Sequence, residues 1–220
     1  MPRRQGQPRR SAKAFEAALN ADPGGANAAA AAYQAGEARL GAKEYPQAAA
    51  HFAAALTKDP DPALRDQASL RQAECHGFAD QWPQAEAAYA ALLAANPEAS
   101  LARRAQFGIG WAQENQGKRA DAITSYQKVI AAGEKTETAA RAQFQIGECH
   151  FAEDRLDDAL LEFNKVASNY GSPEWSARAL YEMGQVLAKK GDAAKAKAMF
   201  AEVIEKFPDS SVAAAAKERL

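Results

Sequence analysis

The segments Arg104-Ala-Gln-Phe-Gly-Ile-Gly110, Arg141-Ala-Gln-Phe-Gln-Ile-Gly147 and Arg178-Ala-Leu-Tyr-Glu-Met-Gly184 start 37 residues apart and share one pattern, basic, Ala, any, aromatic, any, apolar, Gly. Four sets of residues extend this period along the chain. They are the aromatic residues Phe15, Phe52, Tyr89, Tyr126, Phe163 and Phe200, the small residues Ala48, Ala85, Ala122, Ala159 and Ala196, the glycine-rich set Gly36, Ala73, Gly110, Gly147 and Gly184, and the apolar set Ala18, Ala55, Leu92, Val129, Val166 and Val203. A fixed period of this length is typical of stacked copies of one supersecondary unit.

Each unit is predicted to be a helix, a tight turn and a second helix. In the third copy the apolar residues recur with helical spacing before and after Gly117, whose missing Cβ suits a left-handed helix end. Gly110 and Ala122 are small, which predicts that the two helices cross closely there. Prolines are expected to end second helices because proline cannot continue a helix. They are Pro60, Pro97 and Pro208.

These patterns resemble the tetratricopeptide repeat (TPR) over about residues 11–220, and the resemblance implies an all-α, right-handed α-solenoid. The family's usual period is about 34 residues, so each unit is longer here. The longer unit resembles repeats of bacterial cell-envelope TPR proteins, the Tol-Pal-associated periplasmic protein and the outer-membrane assembly lipoprotein. The run 177–220, with Phe207-Pro-Asp-Ser210, is similar to the end of the first of these. This resemblance implies a periplasmic or envelope-associated protein in envelope assembly or division, although residues 1–10 lack the apolar stretch of a secretory signal.

The repeat pattern predicts one solenoid domain over residues 11–220, preceded by a disordered basic tail at 1–10. The alternative for the tail is an arm that binds nucleic acid or an anionic surface. The predicted units are a half repeat at 11–23, full repeats at about 26–60, 63–97, 100–134, 137–171 and 174–208, and a capping half repeat at 211–220. A leading half repeat is unusual, and it suggests a chain cut from something longer or started late.

Composition and motifs favour a protein that binds other proteins without catalysing a reaction. The net charge is −1 with acids and bases interspersed, which argues against a nucleic-acid partner, and no segment is apolar enough to span a membrane. The triplets Glu74-Cys75-His76 and Glu148-Cys149-His150 invite a metal site, but adjacent helical Cys and His side chains point about 100° apart. We therefore predict buried packing cysteines, no metal, no cofactor and no catalytic residues. His51 has no evident partner.

The first helices of the repeats carry a second set of repeating side chains, and the TPR resemblance assigns first helices to a concave groove. The candidate partner-binding residues are Arg104, Phe107, Trp111, Arg141, Phe144, Glu148, Phe151, Arg178 and Tyr181. Arginine and aromatic side chains are enriched in binding hot spots. Two alternatives stay open: the aromatic column packs between repeats, and the arginines pair with nearby glutamates on a solvated face. Trp111 is the strongest candidate because other copies carry Glu or Gln there.

The predicted function is a scaffold that binds a peptide or helix of a partner protein in this groove. One alternative is a structural segment that self-associates through its open solenoid ends. The other is an accessory module of a larger enzyme whose catalytic part lies upstream. Fold alone does not choose among these three functions.

Overall fold

The computed structural model describes residues 6–58, 60–95, 101–131, 133 and 135–220, and these residues form twelve α-helices and no strand. The predicted all-α solenoid class of helix–turn–helix repeats is confirmed. The helices are α1 (Gly6–Ala21), α2 (Ala28–Gly41), α3 (Tyr45–Leu56), α4 (Pro62–Phe78), α5 (Trp82–Ala95), α6 (Ala102–Asn115), α7 (Arg119–Ala131), α8 (Glu137–Ala152), α9 (Leu156–Asn169), α10 (Pro173–Lys189), α11 (Ala193–Lys206) and α12 (Ala213–Lys217). In the described parts of the chain, no helix has the length and apolar character that crossing a membrane requires.

The chain forms two compact units, Met1–Gly117 and Lys118–Leu220, each with six of the helices. In the first unit α1 to α6 pack in succession, each on the next helix along the chain. In the second unit α7 to α12 pack in the same successive way. Within each unit, helices that are neighbours in sequence are therefore neighbours in space, as stacked repeats require. The exact repeat boundaries stay predictions.

The repeating glycines and the repeating aromatic residues meet where the two helices of a repeat cross. A Cβ atom on Gly36 would lie 2.7 Å from the ring of Phe52, and one on Gly147 would lie 2.6 Å from that of Phe163. Both rings are fully buried, at 0% exposure. Because a real Cβ does not approach a neighbour this closely, any side chain at Gly36 or Gly147 would force the opposite ring to shift.

Each turn inside a repeat has one residue in the left-handed backbone region, and these residues recur every 37 positions. Gly117 has φ +76°, as predicted, and Gly191 has φ +83°. Lys43, Asp80 and Asp154 occupy the same place in other repeats with φ of 60°, 57° and 60°. Among the prolines, Pro60 follows α3 and Pro208 follows α11, as expected. Pro97 lies outside the described residues.

The predicted disordered tail is wrong for residues 6–10, which form the start of α1. Arg9 Nε lies 2.8 Å from Glu44 Oε1, and Pro8 lies beside Gly41. Proline is tolerated at Pro8 because the first four backbone N–H groups of a helix have no intrahelical partner. These contacts with the next helix pair order a stretch whose composition alone indicated disorder.

A charged cluster holds α1 on α2 and α3. Arg39 donates to Glu16 at 2.7 and 2.8 Å and to Glu44 at 2.6 Å. His51 Nε2 lies 3.0 Å from Glu16 Oε1, so the histidine that had no evident partner in the sequence has one. Burial opposes ionisation of Glu16, but the hydrogen bonds and charge of Arg39, and then of His51, outweigh it and lower the pKa of Glu16.

Glu16→Gln is expected to destabilise the first unit by about 1 kcal/mol at pH 7, because Arg39 and His51 lose their shared carboxylate. A carboxyl group whose pKa is lowered by folding stabilises the native state above its unfolded pKa, and that stabilisation is lost as pH falls through the folded pKa. Urea unfolding of the variant should therefore lose part of the acid sensitivity of the parent. Glu218→Gln, an exposed change, is the control. Parallel pH profiles for Glu16→Gln and the parent would contradict this role.

Candidate functional site

Four aromatic side chains form a connected cluster in the first unit, which we call the aromatic edge: Tyr45, Phe78, Trp82 and Trp111. The ring centroids of Tyr45 and Phe78 are 5.3 Å apart, those of Phe78 and Trp111 are 5.8 Å apart, and those of Trp82 and Trp111 are 4.9 Å apart. Phe78 is 47% exposed and the other three are half-buried. The cluster therefore presents a continuous aromatic surface to solvent.

The position of Trp111 depends on a glycine in the neighbouring helix α4. A Cβ atom on Gly77 would lie 2.5 Å from Trp111 Cζ3, so no other residue fits under the indole without moving it. Asn115 donates to the backbone carbonyl of Trp111 at 2.8 Å. The indole is thus seated directly on the backbone of α4, beside Phe78.

The aromatic edge is specific to one region of a repeating chain. Tyr45 and Trp82 are the first residues of α3 and α5, whereas the corresponding second helices α7, α9 and α11 begin with Arg119, Leu156 and Ala193. Phe78 is the last residue of α4, and its counterparts at the ends of other first helices are Gly41, Asn115, Ala152 and Lys189. At the position of Trp111 the other copies carry Glu37, Glu74, Glu148 and Gln185. The repeat scaffold does not require these aromatic residues, because other copies form it without them.

A chain of ion pairs, the charge ladder, crosses the first helices of the first unit. Arg71 lies 2.9 Å from both Glu37 and Glu74, and Arg104 Nη2 lies 2.7 Å from Glu74 Oε1. Arg104 therefore has the glutamate partner that the sequence left open as an alternative. Its side chain remains 47% exposed, so it can still contact a bound partner at its outer edge.

The aromatic candidates on the first helices make packing contacts within each unit. In the first unit Phe107 is buried, at 7% exposure. In the second unit Phe144 lies 5.2 Å from Phe163 and 5.4 Å from Trp175, and Tyr181 lies 5.4 Å from Phe200, between ring centroids. These distances match the packing alternative for the aromatic column.

The remaining candidates of the second unit are distributed along α8 and α10. Arg178 donates to Glu174 at 2.9 Å and lies over the Trp175 ring at 5.0 Å, so it too has a glutamate partner. Phe151 is half-buried beneath Lys189, whose Nζ lies 5.1 Å from the ring centroid. Arg141 is exposed and Glu148 is half-buried. In this unit Phe144, Phe151 and Arg178 contact side chains of their own or the next repeat, so they form less of an open surface.

The two cysteines are buried and free, with exposures of 0% for Cys75 and 1% for Cys149, which confirms their packing role. Burial, together with the charge of Glu74, raises the pKa of Cys75 to about 12. His76 Nδ1 lies 2.7 Å from Gln81 Oε1, and His150 is buried. Within the described ranges, no three His, Cys, Asp or Glu side chains are grouped so that they could hold a metal ion.

Comparison with protein-family models identifies the repeat. One model described as tetratricopeptide repeat matches residues 3–63, 70–137 and 107–172, and a second with the same description matches 178–210. The chain belongs to the tetratricopeptide repeat family. No curated protein matches the sequence of this TPR chain. The resemblance that the repeated segments carry is therefore confirmed at the level of the family.

Solved structures with this TPR fold are similar over most of the chain. BtubC from P. vanneervenii has a TM-score of 0.70 and 15% identity, with 92% of this chain and 89% of that chain covered. YrrB, a TPR protein with an unusual peptide-binding site, has a TM-score of 0.58 and 24% identity, with 94% and 99% covered. The Rap conjugation gene regulator of plasmid pLS20, in complex with the Phr* peptide, has a TM-score of 0.63 and 17% identity, with 84% and 56% covered. At these identities the likeness shows the fold alone.

The site residues selected from the sequence include Trp111 but not its three neighbours in the aromatic edge. A sequence signal for two of them exists, because Tyr45 and Trp82 stand 37 residues apart at the start of successive second helices. Gly77 carried a signal as well, since the other copies have Leu40, Glu114, Phe151 and Ala188 there. Only the packing of α4 and α6 shows that this glycine makes room for Trp111.

Proposed function

We propose that this TPR chain is a non-catalytic scaffold that binds a segment of a partner protein across the aromatic edge. The observation that carries the proposal is a ring cluster with a 47% exposed phenylalanine, at positions where the other repeats carry mostly non-aromatic residues. Tryptophan and tyrosine supply large contact areas and lose few side-chain rotations on binding. Such residues dominate the energetics of protein interfaces.

The partner segment is expected to place a bulky apolar side chain against Phe78 and Trp111. The charge ladder alongside contributes orientation, because its carboxylates and guanidinium groups already neutralise one another. A long acidic segment would have to compete with Glu74 for Arg104, which disfavours acid recognition as the main source of affinity. Apolar contact with the rings therefore supplies most of the expected binding energy.

The other groove candidates are expected to make secondary contacts with the same partner segment. Within their own units, Arg104, Arg141 and Arg178 retain exposed atoms that a bound chain could contact. Peptide binding by YrrB and by the Rap regulator, as their structures are described, supports a peptide or protein partner for this chain. A role in bacterial cell-envelope assembly or division stays a prediction that rests on the 37-residue period and the 177–220 segment.

Trp111→Ala and Phe78→Ala are each expected to weaken binding by about 2 kcal/mol, or about 30-fold in Kd, because each removes a ring from the contact surface. The probe is a phage-displayed random peptide library selected on the immobilised chain, followed by calorimetric titration of the best synthetic peptide. Leu220→Ala, which truncates an exposed apolar side chain elsewhere, is the matched control and should bind like the parent.

Gly77→Leu tests the same surface without removing a ring. The added side chain must displace Trp111, so peptide affinity should fall and the tryptophan emission spectrum should change. Folding is checked by circular dichroism. If folded Trp111→Ala, Phe78→Ala and Gly77→Leu all bind the selected peptide like the parent, the aromatic edge is not the binding surface.

A further inference from the structure

The second unit contains a pocket between α9 and α11, with α10 as its floor. The cavity has a volume of about 290 Å³, and Leu180, Met183, Met199 and Phe207 supply its apolar lining. Asn164 and Ser168 form its polar rim on α9, and Glu202 and Lys206 form its charged rim on α11. The chain has three methionines, and the two besides Met1 both line this pocket, which we call the methionine pocket. Methionine adapts its shape to an inserted side chain.

The corresponding place one repeat earlier holds polar side chains that bond to one another. Gln143, Glu162 and Tyr170 stand 37 residues before Leu180, Met199 and Phe207. Gln143 donates to Glu162, and the Tyr170 hydroxyl donates to Gln143 Oε1 at 3.3 Å. The repeat fold therefore accepts a self-satisfied polar trio at these positions. In the following repeat the corresponding residues Leu180, Met199 and Phe207 are apolar, and they line the open methionine pocket.

An exposed apolar side chain lies on the same helix face as the rim of this pocket. Leu161 of α9 is 53% exposed, and it is one of three exposed large apolar side chains among the described residues. Asn164 and Ser168 follow it by three and seven residues, spacings that place all three on one face of the helix. Leu161 is thus about 4.5 Å along the axis from the first rim residue.

We propose that two copies of this chain associate through this face, each inserting Leu161 into the methionine pocket of the other. A two-fold interface requires one patch to carry both a projection and the hole that receives it. Leu161 and the pocket meet that requirement side by side on one unit. The rim residues Asn164 and Ser168 of α9 are uncharged, and the two charged rim residues of α11, Glu202 and Lys206, neutralise each other in an ion pair of 2.6 Å. Placing the two pockets together therefore sets no unpaired like charges opposite each other at these positions.

The first test measures mass against concentration for the full chain by sedimentation equilibrium. The parent should approach twice the 23.5 kDa chain mass as concentration rises through about a hundredfold range. Leu161→Asp should stay monomeric because a carboxylate would lose its water against Leu180 and the two methionines, while Lys206 at the rim is already paired with Glu202. Leu220→Asp, a matched change at the other 53% exposed leucine, should associate like the parent.

The second test fills the methionine pocket with the polar network that the preceding repeat contains. The combined change Leu180→Gln, Met199→Glu and Phe207→Tyr copies the trio of the preceding repeat, so it should fold and remain monomeric. The third test mixes Leu161→Cys chains with Met199→Cys chains under oxidising conditions. A disulfide-linked heterodimer is expected, and the native Cys75 and Cys149 are buried and do not compete.

Three outcomes would overturn the proposal. They are a parent chain that is monomeric at every concentration, a dimer that survives both Leu161→Asp and the combined change, and a dimer lost on Leu220→Asp alone. A monomer whose methionine pocket instead takes a selected peptide would also overturn it, because the pocket would then serve a different partner. Each of these outcomes leaves the aromatic-edge proposal standing, since that surface lies in the other unit.

Discussion

Phe52→Ala is expected to lower the free energy of unfolding of the first unit by about 3–5 kcal/mol, the usual range for truncating a fully buried phenylalanine. Phe52 has 0% exposure, and its ring centroid lies 5.4 Å from that of Tyr33. The ring also fills the space against Gly36 and packs near Ala48 and Cys75. Its removal leaves a cavity between the first and second helices of one repeat. Urea unfolding followed by circular dichroism measures the loss.

Phe78→Ala is the matched control, since the same atoms are removed from a side chain that is 47% exposed. Its unfolding free energy should change by about 1 kcal/mol or less, because most of its surface is already in water. The two variants therefore separate a stability residue from a surface residue of the same type. Equal losses for Phe52→Ala and Phe78→Ala would contradict the burial assigned to both.

Gly147→Leu should destabilise the second unit by at least about 1–3 kcal/mol, because overpacking a close helix contact forces side chains and backbone apart. A Cβ at this position would already lie 2.6 Å from Phe163, whose ring is fully buried. Neighbouring repeats share their interfaces, so the loss should extend to α8 and α9 together. A fall in melting temperature, with native-state hydrogen exchange resolved by helix, measures both effects.

Two further variants define the cause of that loss. Gly147→Ala should be much milder, since Ala73 stands at the corresponding position beside Tyr89 in a buried cluster, and alanine favours the helix. Gly41→Leu places the same side chain at an exposed helix end, where the nearest atom to a Cβ is 3.8 Å away. It should change stability little. Melting temperatures for Gly147→Leu and Gly41→Leu that fall equally would rule out the crossing as the reason.

The repeat units could be read from the sequence because their determinants are local and recur. Gly117 predicts its left-handed turn without any tertiary information, and φ +76° agrees. The same turn in other repeats uses Asp80 and Asp154, a residue type that tolerates the left-handed region, and Lys43, which is held there by the helices on either side. The start of α1 was missed for a related reason: Arg9 and Pro8 are ordered by contacts with residues more than 30 positions away.

The sequence predicted the candidate site only in part. Trp111 differs from the residues at its position in the other repeats, and this difference marks it in the sequence. Phe144 and Tyr181 are aromatic residues at repeat spacing, as a binding surface would be, but they pack against Phe163 and Phe200. Which face of a helix meets its neighbour decides between the two roles. Likewise, the sequence shows Arg104 and Glu74 but not the 2.7 Å distance that makes them a pair.

What the sequence by itself determined is the unit, which is a helix, a turn and a second helix, and the all-α class. These follow from helix propensity and from periodic burial, which act within one repeat and its immediate neighbours. Only the tertiary structure decided where the aromatic edge and the methionine pocket lie. Each depends on side chains from three or more helices, and their exposure is set by packing distances that residue types do not carry.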